Sequence, residues 1–231
     1  MQVSQTETSQ AVPTADAGAS VDSRPCCPRL RSARWPLLVL LIGLAAYAGT
    51  QWYWNHQANW GTVVPGQIFR SATVSRHLIR RKLADNKIGV IVFLSRDTGD
   101  DADLAAERKI AADTGIKFLN FPMNGDGVAA PEQYTAALAA VCQAKAEGKP
   151  VLIHCHSGAQ RTGGVVAMYR LLVEGKAPSE AYAEMRHYGY DPARNTTLMP
   201  FLNEHISQWA QSLAELKIIP HTPQPLPKLA P

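Results

Sequence analysis

Charge is scarce in this chain of 231 residues. Asp, Glu, Lys and Arg make up 18% of it, and the net charge is only +4. So mild a balance excludes a chain that binds nucleic acid through a basic face. Cysteine is scarcer, with four in the whole sequence. That number excludes a disulfide scaffold. The placement excludes metal knuckles too: Cys26 and Cys27 adjoin, while Cys142 and Cys155 stand far apart. No internal repeat is present. What is left is ordinary globular composition, 46% hydrophobic, in a length that suits one catalytic-size domain plus extra sequence.

Charge is absent altogether from Leu37 to Gly49. Trp35 precedes this apolar run, and Trp52, Tyr53 and Trp54 follow it. With these flanks, residues 35–54 are long enough to span a bilayer as one helix, with aromatics at both interfaces. Arg24, Arg29, Arg31 and Arg34 lie on one side, and no Lys or Arg follows until Arg70. Positive charge stays inside, so residues 1–34 are expected to form a disordered cytoplasmic tail, and the rest of the chain to lie outside the cytoplasm. Two other readings are a cleaved signal sequence, with Ala46-Tyr47-Ala48 as the cleavage site, and a buried core helix.

Residues 59–219 read as one α/β domain. Short strands are expected at Thr62–Val64 and Gln67–Arg70 around the Pro65-Gly66 turn, and buried strands at Val90–Leu94 and Val151–His154. Another strand is expected from Ile116 to Phe121, stopped by Pro122. Helices are expected from a Ser75 cap to Asn86, from Asp101 to Thr114, from Pro131 to Ala146, from Thr162 to Leu172, from Pro178 to Tyr188 and from Leu198 to Leu213. The alternation implies a sheet with helices on both faces. The Pro-rich residues 220–231 are expected to be loose.

The chemistry is expected where the Val151–His154 strand ends. There the chain reads His154-Cys155-His156-Ser157-Gly158-Ala159-Gln160-Arg161-Thr162-Gly163, and a helix follows. A loop closing a strand onto a helix N-terminus turns backbone N–H groups inward, which makes a phosphate nest. Gly158 lets the backbone curl, and Arg161 offers a planar fork for two phosphate oxygens. Cys155 sits in the same nest, whose positive field favours the thiolate. Such a thiolate can attack phosphorus and form a phosphocysteine. Thr162 is expected to hydrogen-bond the sulfur as it leaves, and His154 to orient rather than act as a base. A metal cluster of His154, Cys155 and His156 is disfavoured, because alternate strand residues face opposite ways.

This segment resembles the cysteine-dependent protein phosphatases, whose signature is His-Cys, five residues, Arg and Ser or Thr. It is most similar to the small dual-specificity type, in particular its atypical bacterial and plant or fungal-like members. Val64 to Ala72 and Gly89 to Leu94 extend the resemblance, which covers roughly residues 59–210. It implies a tyrosine-phosphatase-like fold with a central, mostly parallel sheet, and a phosphate monoester hydrolase that uses no metal or other cofactor. It implies Cys155 as nucleophile, Arg161 as clamp, Thr162 as helper, and His156, Ser157, Gly158, Ala159 and Gln160 as the substrate cradle. It also implies an aspartic general acid from a preceding loop. Asp126, 29 positions before Cys155 in a Gly-rich loop, is the first candidate; Asp97, Asp100 and Asp101 are the others. The substrate would be a phosphorylated protein or a small-molecule phosphate. The loop carries no lysine, which disfavours highly phosphorylated inositol lipids.

Two rival readings are a phosphate-binding module with weak catalysis and a sulfurtransferase. Cys142 reads as a small core residue or as a disulfide partner of Cys155. Cys26 and Cys27 are possible lipidation sites, and Asn195-Thr196-Thr197 is a glycosylation sequon by pattern. Arg186, His187 and Arg194 are candidates for the rim of the site.

Overall fold

The computed structural model describes residues 34–57 and 59–230. The expected disordered tail and the Cys26-Cys27 pair lie outside the described residues. The first element, α1 (Arg34–Gln57), is 24 residues long. Its stretch Trp35–Trp52 has a mean hydropathy of 1.3 and none of it is buried, so by length and composition this helix can cross a membrane.

The remaining elements run β1 (Gly61–Val64), β2 (Ile68–Ser71), α2 (Ile79–Asp85), β3 (Val90–Ser95), α3 (Ala102–Thr114), β4 (Lys117–Met123), α4 (Pro131–Ala146), β5 (Val151–His154), α5 (Gln160–Met168), α6 (Pro178–His187) and α7 (Leu198–Glu215). The strands form one sheet in the order β1-β2-β5-β3-β4. Only β1 and β2 pair antiparallel; β2 with β5, β5 with β3, and β3 with β4 are parallel. The mostly parallel α/β sheet expected from the sequence is therefore present.

β3 and β5 lie inside the sheet and are buried at every position. Successive side chains face opposite sides of a strand. Val90, Val92, Leu94, Val151 and Ile153 face a core built with α4, α5 and α7, centred on Trp209 stacked 4.6 Å from Tyr134. Ile91 and Leu152 face the other way, against Ile79 and Leu83 of α2 and Ile110 of α3. A parallel sheet covered on both faces reads as continuous apolar runs, which is why these two strands were legible.

Several expected boundaries shift. β4 runs through Pro122 to Met123. It is an edge strand, where a missing amide costs no ladder bond. α2 starts at Ile79, because the Ser75 hydroxyl takes the N–H of His77 in a local turn and caps nothing. α5 starts at Gln160 rather than Thr162, and its end is a π-helical turn, Tyr169–Val173. The tail is not loose: Leu229 is only 2% exposed and belongs to the main core. Its N–H and C=O both bond the Asn203 side chain, at 2.8 and 2.9 Å.

Candidate active site

In an open α/β sheet, ligand sites form beyond the carboxyl ends of the strands. Parallel pairing sets Phe93 of β3 against His154 of β5, so Ser95 at the end of β3 and the loop that opens at Cys155 lie at the same end of the sheet. Cys155 is 1% exposed, and its Sγ receives the N–H of Gly158 at 3.2 Å. Gly158 has φ +70, and a Cβ there would stand 2.8 Å from the carbonyl of Ser71 and the nitrogen of Ala72. The β5–α5 loop thus curls against the end of β2 with no room for a side chain.

Ser95 is the tie that sequence reading missed. Its buried hydroxyl accepts the His156 N–H at 3.2 Å and the Arg161 Nη1. It fixes the clamp and the first amide of the loop at once. Gln160 opens α5, and its Oε1 lies 3.4 Å from the Ser157 hydroxyl. Ala159 is buried, and the His156 and Ser157 side chains are exposed. His156 Nδ1 lies 3.4 Å from the Thr73 hydroxyl and 3.5 Å from Asp101. The structure therefore brings Cys155, Arg161 and the residues 156–160 into one loop.

Thr162 is wholly buried, and its hydroxyl has no hydrogen-bond partner among the described residues. His154 is buried against Phe93, with Nε2 3.1 Å from Oε2 of a buried Glu107.

Asp126 follows β4 in a loop that passes beside the clamp: a Cβ on Gly125 would stand 3.7 Å from Nη2 of Arg161. Its Oδ1 accepts the Val128 N–H at 3.0 Å, and its Oδ2 accepts the Thr197 hydroxyl at 3.1 Å. Its carbonyl accepts Nδ2 of Asn195 at 2.6 Å. Asp126, Gln160, Arg194 and Thr197 help line a cavity of about 400 Å³. The other candidate carboxylates have partners too, and Asp101 keeps one oxygen on His156. Asp97 pairs with Arg108 at 2.5 Å, and Asp101 caps α3. The Thr98 hydroxyl holds Asp100 below the usual carboxylate range.

Arg70 was also missed as a site residue. It is fully buried at the end of β2, donates Nη2 to the Gly158 carbonyl at 3.0 Å, and meets Glu184 at 3.3 Å. Its guanidinium lies 3.8 Å from the centre of the Tyr188 ring. Burial pulls its pKa down, against the opposing pull of Glu184. A charged residue closing an otherwise apolar strand was the available signal.

Cys142 and Cys155 are both free thiols, so the disulfide reading is not realised. Cys142 lies with Leu216 and Ile218 beside a surface cavity, and burial pushes its thiol up to about 11. Asn195 is 6% exposed and its carboxamide is committed to Asp126 and Leu198, which leaves the sequon no free acceptor. Arg186 and Arg194 both pair with Asp191, at 3.3 and 3.5 Å.

Comparison with known proteins agrees with this geometry. Residues 66–176 match the family described as a polymorphic toxin system DSP-PTPase phosphatase. Over 75 residues the chain is 39% identical to the dual specificity protein phosphatase TpbA of Pseudomonas aeruginosa. That match takes in 32% of this chain and 34% of TpbA, so it spans about a third of the curated relative's length. The crystal structure of P. aeruginosa TpbA covers 68% of this chain and 91% of its own, with a TM-score of 0.55 and 23% identity. The core catalytic domain of the PP-IP phosphatase SIW14 from S. cerevisiae covers 70% and 94%, with a TM-score of 0.55 and 22% identity. These two structures share the fold. Together with the loop built on Cys155 and Arg161, the matches make residues 66–176 similar to the atypical, cysteine-based dual-specificity phosphatases.

Proposed function

We propose that this chain is a phosphate monoester hydrolase working through a phosphocysteine on Cys155. The observation that carries the reading is a buried cysteine sulfur capped by the Gly158 amide, in a loop whose clamp, Arg161, is tied to Ser95.

In the first step the Cys155 thiolate attacks phosphorus in line. The S–P bond forms, the P–O bond to the leaving group breaks, and Asp126 gives that oxygen its proton. The loop amides and the Arg161 fork hold the phosphoryl oxygens. In the second step Asp126 takes a proton from water, the water oxygen bonds phosphorus, and the sulfur leaves as thiolate. Neither step calls for a metal or another cofactor. The hydrogen bonds from Val128 and Thr197 hold the Asp126 carboxylate at the cavity beside Gln160.

The substrate is a phosphorylated protein or a small-molecule phosphate. One solved TpbA structure is a complex with pTyr, and SIW14 is described as a PP-IP phosphatase, so relatives of this fold span both classes. The reading is tested with the full chain in detergent, reduced and with chelator present. Wild type is expected to release phosphate from an aryl phosphate and to form no thiocyanate from thiosulfate. Asp126→Asn is expected to slow alkyl phosphates about 100-fold or more and aryl phosphates less, because a phenolate leaves without a proton. Thiocyanate formation in place of phosphate release would assign a sulfurtransferase.

We also propose that α1 anchors the protein in a membrane, with residues 1–34 cytoplasmic and the catalytic domain outside. The run Trp35–Trp52 and the one-sided arginines support this. Protease added to cells stripped to the cytoplasmic membrane is expected to digest the periplasmic or otherwise extracytoplasmic catalytic domain; full protection there, with digestion after lysis, would reverse the orientation.

A further inference from the structure

A loop that turns its amides inward turns its carbonyls outward, and each carbonyl then needs a donor. Three donors come from the segment before β1, from β2 and from the residues just after β2. The His156 carbonyl takes the Thr73 N–H at 3.2 Å. The Gly158 carbonyl takes Arg70 Nη2, and the Ser157 carbonyl takes Asn59 Nδ2, each at 3.0 Å. Asn59 also bonds the Tyr188 carbonyl at 3.1 Å, so its carboxamide serves two acceptors.

A trans peptide unit is planar, with the C=O of one residue and the N–H of the next pointing opposite ways. The Ser157 carbonyl and the Gly158 amide are the two ends of one such plate. Asn59 holds the oxygen end, and the other end lies 3.2 Å from the Cys155 sulfur. A plate beside a glycine rotates at low cost, so its orientation depends on the bond that holds it. Asn59 itself has φ +46, a left-handed conformation that asparagine tolerates better than most residues. It stands two residues beyond the end of α1.

We propose that Asn59 is a positioning residue for the phosphate-binding loop, acting through the Ser157–Gly158 peptide, and that it ties the segment leaving α1 to the nucleophile. The kinetic consequence rests on the phosphatase reading; the effect on oxyanion binding does not.

The test uses the full chain in detergent, as wild type, Asn59→Gly and Asn59→Asp. Glycine keeps the left-handed backbone and removes the donor. Aspartate keeps the side-chain shape and sets a carboxylate against two carbonyls. Binding of inorganic phosphate is measured by calorimetry, hydrolysis of an aryl phosphate by kcat and KM, and folding by thermal unfolding. Phosphate affinity is expected to fall about tenfold in Asn59→Gly, the worth of one hydrogen bond, and further in Asn59→Asp, with kcat falling in parallel. Unchanged affinity in both variants overturns the proposal. So does a reduced binding stoichiometry at unchanged affinity, which marks a purely structural role. If wild type binds phosphate and hydrolyses nothing, the phosphatase reading fails while the affinity series still decides the role of Asn59.

Discussion

Cys155→Ser is expected to abolish turnover while leaving phosphate binding nearly intact. The hydroxyl is close in size to the thiol, and the loop around it rests on contacts elsewhere: Ser95 on His156, Arg70 on Gly158 and Asn59 on Ser157. The nest should therefore persist. What is lost is the nucleophile, since a serine hydroxyl with no adjacent base is scarcely ionised at neutral pH. Removing the nucleophile of a covalent enzyme costs on the order of 10⁴-fold or more in kcat. Calorimetry with inorganic phosphate beside the aryl phosphate assay separates the two effects. Wild-type turnover in Cys155→Ser would remove the phosphocysteine from the mechanism.

Gly158→Ala is expected to damage both fold and activity. The new Cβ would lie 2.8 Å from Ser71 C, Ser71 O and Ala72 N, all backbone atoms of β2 and its extension. Such contacts are not relieved by turning a side chain. The residue would also have to hold φ +70, which strains an alanine. Together these predict a loss of about 3 kcal/mol in urea unfolding. If the chain folds by moving the loop, the Gly158 amide leaves the sulfur, and kcat/KM should fall about 10³-fold, as when an oxyanion donor is removed. A variant with wild-type stability and activity would show that the loop is not held against β2.

The central loop was legible because its parts are contiguous: nucleophile, glycine and arginine fall within seven residues, and strand, loop and helix follow directly. The contacts that hold the loop were not legible. Asn59 and Arg70 reach it across 98 and 88 positions, and Ser95 reaches Arg161 across 66. These pairings exist because β5 inserts between β2 and β3, an order that no local pattern carries. Pro122 breaks the local strand pattern for the same reason, since only the sheet order makes β4 an edge that tolerates it. Ser75 failed as a cap because its hydroxyl had a nearer amide in His77. Asp126 was found through the family resemblance and its Gly-rich loop. Its partners Thr197 and Asn195 come from the α6–α7 connection, which the sequence offered only as a sequon pattern.

The two borders of the sheet share a property with a consequence for crowding. β1 is four residues long, and its pairing shifts register between Thr62 and Val64. β4 carries Pro122, and its pairing shifts between Phe93 and Ser95. Short, irregular or proline-bearing borders are poor templates for another chain's strand. Crowded copies therefore meet poor strand templates at both described borders of the sheet, which leaves helices and loops as the better surfaces for contact.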